Sequence, residues 1–166
     1  NGGTLLLDPR NIYVRDSSVG GTTLTSDLTN VDQYSDGSTT SYRVNSSIIE
    51  SAITSGTNVI LKAQRNIYVQ SDIIATGSSG GDLTLNAGVD IDISANITTA
   101  NGNLTLEANN ESISGRGNNR YSDIDISSTI NLGTGNLNIT LGNSNTLGSN
   151  DIDLSAATIN ANNITI

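Results

Sequence analysis

Three copies of one tripeptide, Asp90-Ile91-Asp92, Asp123-Ile124-Asp125 and Asp151-Ile152-Asp153, concentrate the groups in this chain that could do chemistry. Closely spaced carboxylates can serve as hard oxygen ligands for calcium or as the acid and base of glycoside hydrolysis. If the tripeptides occupy successive strands, Asp92, Asp125 and Asp153 point outward and stack at one strand spacing, where like charges repel unless a cation such as calcium bridges them. The competing reading is that they are solvated carboxylates in different registers. Hydrolysis would need Lys62 and Arg65 to join Asp90 and Asp92 on one outer face. It would also need a desolvated pocket to tune the acid, and strands this short and poor in aromatics offer none. Histidine and cysteine are both absent, which excludes zinc sites, Ser-His-Asp triads and cysteine nucleophiles in their usual forms. No catalytic residue emerges, and the chain reads as a non-enzyme.

The elements that must position these groups are short strands. In Gly81 to Thr99, Leu83, Leu85, Ile91, Ile93 and Ile97 alternate with Thr84, Asp92 and Thr98, and Ala87-Gly88 and Ser94-Ala95-Asn96 break the run into three pieces. Gly102, Leu104, Leu106 and Ala108 then repeat Gly81, Leu83, Leu85 and Ala87 at a spacing of about 21 residues. Only 34% of the chain is hydrophobic and 3% aromatic, too little for a conventional globular core but enough where each strand buries one or two side chains. The fold expected is all-β: a right-handed parallel β-helix with three strands and about 21 residues per coil, one domain over residues 1–166. The rigid six-residue period of a left-handed helix and the nonapeptides of a calcium roll are missing.

The other coils follow the same template. Leu5 and Leu7, then Ile12 and Val14, open the first, with Pro9 at its corner. Val59, Leu61, Ala63, Ile67, Val69, Ile73 and Ala75 form the second. Leu104, Leu106 and Ala108 open the fourth, whose second strand is ambiguous between Ile113 and Ile124. Gly135, Leu137, Ile139 and Leu141, then Ile152, Leu154 and Ile159, make the fifth, and Asn163 to Ile166 begins a sixth. Two stretches break the register, about 15–45, which reads as an insertion and could be a hairpin on one face, and 114–122. A helix over about 47–54 is expected from Ile48, Ile49, Ala52 and Ile53 on one face, with Ser47 and Glu50 as a capping box and Gly56 as its stop. Tyr13 and Tyr68 fall in the same outward slot of successive coils, to stack on the surface or to pack under the first insertion. The chain both begins and stops within a repeat, so Leu5 and Leu7 at one end and Ile164 and Ile166 at the other are candidate assembly surfaces for further copies.

A net charge of −9, from seven basic and sixteen acidic residues, argues against nucleic acid as a partner. No apolar run is long enough to span a membrane and no signal peptide opens the chain. The absence of cysteine favours export. Six Asn-x-Ser/Thr sequons, at Asn45, Asn96, Asn103, Asn110, Asn138 and Asn163, are potential glycosylation acceptors, although a chain this rich in Asn, Ser and Thr generates them by chance. Thr84, Thr98 and Thr105 do not make the regular array of an ice-binding face.

The segments LLLDPRNIYV, SIIESAITSGTNVILKAQRNIYVQSDI and GGDLTLNAGVDIDISANITTANGNLTLEA strongly resemble the repeat region of filamentous-haemagglutinin-like exoproteins of two-partner secretion systems. The resemblance covers Gly2 to Val14 and Ser46 to Glu107. It implies a secreted bacterial protein, exported through an outer-membrane secretion partner to the outer surface, whose β-helical shaft attaches to host or neighbouring cells. It implies no active site, and no functional residue carries over. The expected function is a structural shaft segment of a surface adhesin; the alternatives are an extracellular fibre built from head-to-tail copies and, less favoured, a β-helical polysaccharide-active enzyme.

Overall fold

The computed structural model describes residues 4–7, 9–16, 41–113, 121–142 and 150–166, and for 4–7 the backbone alone. The chain forms a right-handed parallel β-helix of three sheets. The first sheet stacks β1 (Thr4–Leu7), β4 (Asn58–Ala63), β7 (Leu83–Ala87), β10 (Leu104–Ala108), β13 (Leu137–Leu141) and β16 (Ile164–Thr165) in that order. In the second, β3 (Ser41–Val44) is followed by β2 (Asn11–Val14), β5 (Ile67–Val69), β8 (Ile91–Ile93), β11 (Asp123–Ile126) and β14 (Asp151–Asp153). The third holds β6 (Ile73–Ile74), β9 (Ile97–Thr98), β12 (Thr129–Asn131) and β15 (Thr158–Asn160). Every pairing is parallel and joins equivalent residues of adjacent coils.

This register follows from the period-2 pattern, because a slip of one residue would turn each apolar pair outward. Val59, Leu83, Leu104 and Leu137 stack in one interior column, and Ile67, Ile91, Ile124 and Ile152 in another. The inward residues expected for the second and third coils are buried, and one apolar cluster extends from Ile12 to Ile139. At ~25 cal/mol per Å² of apolar area, small side chains suffice because each is covered above and below.

Equivalent residues of successive coils stand 24, 21, 33 and 27 positions apart from Asn58 through Asp82, Asn103 and Asn136 to Asn163, so the expected 21 holds for one coil and the corners absorb the rest. The ambiguity in the fourth coil is resolved in favour of Ile124, which pairs with both Ile91 and Ile152. Ile113 is buried in a turn before the loop instead. The insertion expected over 15–45 is shorter than that, since Ser41–Val44 is a strand paired in parallel with β2, from Asn11↔Ser41 to Val14↔Val44. Residues 17–40 and 114–120, where the rest of both insertions and any hairpin within the first fall, lie outside the described residues.

Helix α1 spans Ser46–Thr54, close to its expected bounds. Its cap differs from the expected box. Asn45 is the N-cap, its Oδ1 accepting the Ser47 N–H at 3.0 Å and the Ser47 hydroxyl at 2.9 Å, while Glu50 turns to another partner. An Asn one residue before Ser46 outcompetes Ser47 because its oxygen reaches the second helical N–H without distorting the turn. Gly56, at φ 79°, ends the helix as expected, in a left-handed conformation that a Cβ would strain.

Candidate functional site

Each strand is preceded by Asn or Asp more often than by anything else, and those side chains carry the corners. Leading into the first sheet, the Oδ1 atoms of Asn58, Asp82 and Asn103 accept the backbone N–H of Asp82, Asn103 and Asn136, one coil on, at 2.9, 2.8 and 2.9 Å. Leading into the second, Asn11, Asn66, Asp90 and Asp123 do the same for Asn66, Asp90, Asp123 and Asp151 at 3.2, 3.4, 3.2 and 3.1 Å. Leading into the third, Asp72 and Asn96 accept from Asn96 and Thr129 at 2.8 and 3.0 Å. A corner N–H that has left its strand ladder would otherwise lack a protein partner. The sequence carries this signal as a recurring Asn or Asp followed by Ile, Leu or Val.

The Asp-Ile-Asp tripeptides therefore hold two kinds of aspartate. Asp90, Asp123 and Asp151 belong to the corner ladder. Asp92, Asp125 and Asp153 stack outward in register, as expected, on the face of the second sheet. Burial pushes the Asp90 carboxyl up, with the Asp123 and Asp125 charges adding to it and the Asp123 N–H and Arg65 opposing. Burial also raises Asp92, and for Asp125 burial is joined by repulsion from Asp123, Asp153, Asp92 and Asp151. Asp153 moves down instead, because its carboxylate accepts hydrogen bonds from Ser155. Among the described residues, no three acidic groups come together in an arrangement that could hold a metal ion. Stacking one per coil lines up the carboxylates that the calcium reading needs without making them converge.

The same outward row continues away from the acids. Asp92 is followed by Tyr68, Tyr13 and Arg43. The tyrosines stack as expected, with ring centroids 4.8 Å apart and planes 16° from parallel, and the Arg15 guanidinium lies 4.9 Å above the Tyr13 ring. Of the residues considered for hydrolysis, Arg65 acts on Asp90 electrostatically, whereas Lys62 pairs in register with Asn86 on the first sheet. These four do not form one cluster on a single face. Thr84 and Thr105 are neighbours on the first sheet and Thr98 lies on the third.

Two coils open at the same corner, between the first and second sheets. Fourteen residues separate β10 from β11 and nine separate β13 from β14, against three between β7 and β8, while β10 and β13 stay paired from Leu104↔Leu137 to Ala108↔Leu141. A cavity lined by Glu107, Asn109, Asn110, Glu111, Thr140 and Gly142 lies at the roots of both connections. The Glu107 carboxylate is held by Asn86 at 2.7 Å and Asn110 at 3.3 Å, and Asn109 donates to the Gly142 carbonyl at 2.7 Å. Two polar atoms here are buried without a partner, Ser122 Oγ and Asn150 Oδ1. The arrangement is polar and held by hydrogen bonds among Asn86, Glu107, Asn109, Asn110 and Gly142.

Ile164 and Ile166 are 50% and 70% exposed, whereas Val44, Ile49 and Ile53 at the other end are fully buried. The side chains of Leu5 and Leu7 lie outside the described residues. Among the sequons, Asn96, Asn103, Asn110 and Asn163 have their side-chain nitrogens engaged in hydrogen bonds. No helix among the described residues is long and apolar enough to cross a membrane. No protein-family model, curated protein or solved structure matches the chain.

Proposed function

We propose that the chain is a structural shaft segment of a secreted bacterial surface adhesin, carried to the outer surface by an outer-membrane partner and displaying loops for attachment to cells. Its work on this reading is mechanical and presentational rather than catalytic. The observation that carries it is the pair of long connections at one corner, residues 109–122 and 142–150, between strands of adjacent coils whose register is unbroken on either side. A solenoid that tolerates additions at one edge offers a stiff scaffold for neighbouring loops. The resemblance to two-partner-secretion exoproteins supports the same reading. The test replaces 109–122 and 142–150 with the Gly88-Val89 corner of the third coil. Circular dichroism should stay that of the parent, and binding of the protein to cell surfaces should fall to background; undiminished binding by the loop-less solenoid would remove the display reading.

A second reading, a fibre subunit stacked head to tail, needs an open sheet edge at each end. Strands β14, β15 and β16 present such edges among the described residues. At the opposite end β1 and β3 are the outermost described strands of their sheets, and α1 covers the edge of β6 alone.

A further inference from the structure

Strand β6 is the outermost strand of the third sheet, so half of its backbone donors face away from β9. The amides of Ile73 and Ala75 bond the carbonyls of Asn96 and Thr98 at 2.8 and 3.0 Å. Those of Ile74 and Thr76 alternate to the other side, where the edge of a sheet normally stands open to another strand. Here they meet a helix. Glu50 Oε1 accepts the Ile74 N–H at 3.0 Å, and Thr54 Oγ1 accepts the Thr76 N–H at 3.1 Å. Glu50 and Thr54 are one helical turn apart, a spacing that lets two side chains of one face reach two donors two residues apart on a strand. The inner face of the same helix sends Ile49 and Ile53, both fully buried, into the apolar column of the solenoid, and the Ile53 carbonyl accepts the Gly81 N–H at 2.9 Å.

We propose that α1 guards the edge of the third sheet: it occupies the third-sheet position of the first coil, satisfies the β6 edge through Glu50 and Thr54, and bars a strand of a second copy of the chain from adding to β6. On the third sheet, strand addition is thereby confined to the β15 edge. This goes beyond the shaft reading and stands independently of it, since a guarded edge would serve any solenoid.

The test follows amide exchange in the whole chain at Ile74 and Thr76, with sedimentation velocity over a range of concentrations. In the parent, both amides should be protected and the sedimentation coefficient should not rise through contacts at this edge. Glu50→Ala combined with Thr54→Val should speed exchange at those two amides roughly tenfold or more while leaving Ile73 and Ala75 protected. It should also introduce concentration-dependent association. Glu50→Gln keeps an acceptor oxygen and should retain protection at Ile74, which separates loss of the edge bond from loss of the fold. Fast exchange at Ile74 and Thr76 in the parent, or a double variant as protected and as monomeric as the parent, would overturn the proposal. Unfolding of the double variant together with lost protection at Ile74 in Glu50→Gln would do so as well.

Discussion

At the scale of single residues, asparagine and aspartate do the work that larger side chains do in globular cores. Asn103 accepts the Asn136 N–H at 2.9 Å and donates to Asp82 at 3.0 Å. Asn103→Ala strands a partly buried backbone donor, and a loss of about 1–2 kcal/mol is expected in denaturant unfolding. The outward aspartates act in the opposite sense. Because folding raises the Asp92 and Asp125 carboxyls, the folded state holds their protons more tightly than the unfolded chain does. Their contribution to stability is therefore fullest in acid and is lost as pH climbs from the ordinary carboxylate value through the raised ones. Asp125→Asn should stabilise the protein at neutral pH by roughly 0.5 kcal/mol, the size of one exposed like-charge contact, with the gain shrinking to nothing toward pH ~3. Thermal melts of parent and variant across that range check it. Salt should narrow the difference through screening, and since no three acids converge among the described residues, calcium at matched ionic strength should add nothing to what sodium does. A calcium-specific rise in melting temperature, reversed by chelator, would restore the metal reading.

Among the elements, the strands were the most legible part of the sequence and the corners the least. Leu83, Leu85, Ile91, Ile93 and Ile97 announce their strands because alternation is a physical requirement of a sheet with one buried face. Strand β3 was hidden because Tyr42 and Val44 make too short a run to stand out from Ser and Thr around them. The choice between Ile113 and Ile124 could not be made locally; stacking on Ile91 and Ile152 decides it, and that is a contact between coils. The helix was legible as an element, yet its role was not, since nothing in Glu50 itself says that its carboxylate serves a strand 24 residues later. Truncating Ile53→Ala should cost about 2–4 kcal/mol, as for other fully buried aliphatic side chains, with no effect on pH dependence. The corners are equally unforgiving of added bulk: a Cβ on Gly102 would sit 2.1 Å from the Gly81 carbonyl oxygen. Gly102→Ala should therefore lower the melting temperature by several degrees.

For the whole molecule, the consequence of most weight lies in the corner ladders. Each rung asks only that Asn or Asp precede an aliphatic residue, and it is answered by the coil below and repeated for the coil above. Neighbouring coils thus need agree on little more than one dipeptide per corner. A stretch of genetic sequence encoding a whole coil could be copied or deleted in frame, and the flanking coils would close on one another with their hydrogen bonds intact. Length is then a trait such a gene can change in single steps, without a compensating mutation elsewhere, and the reach of the rod becomes as easily selected as the identity of any one side chain.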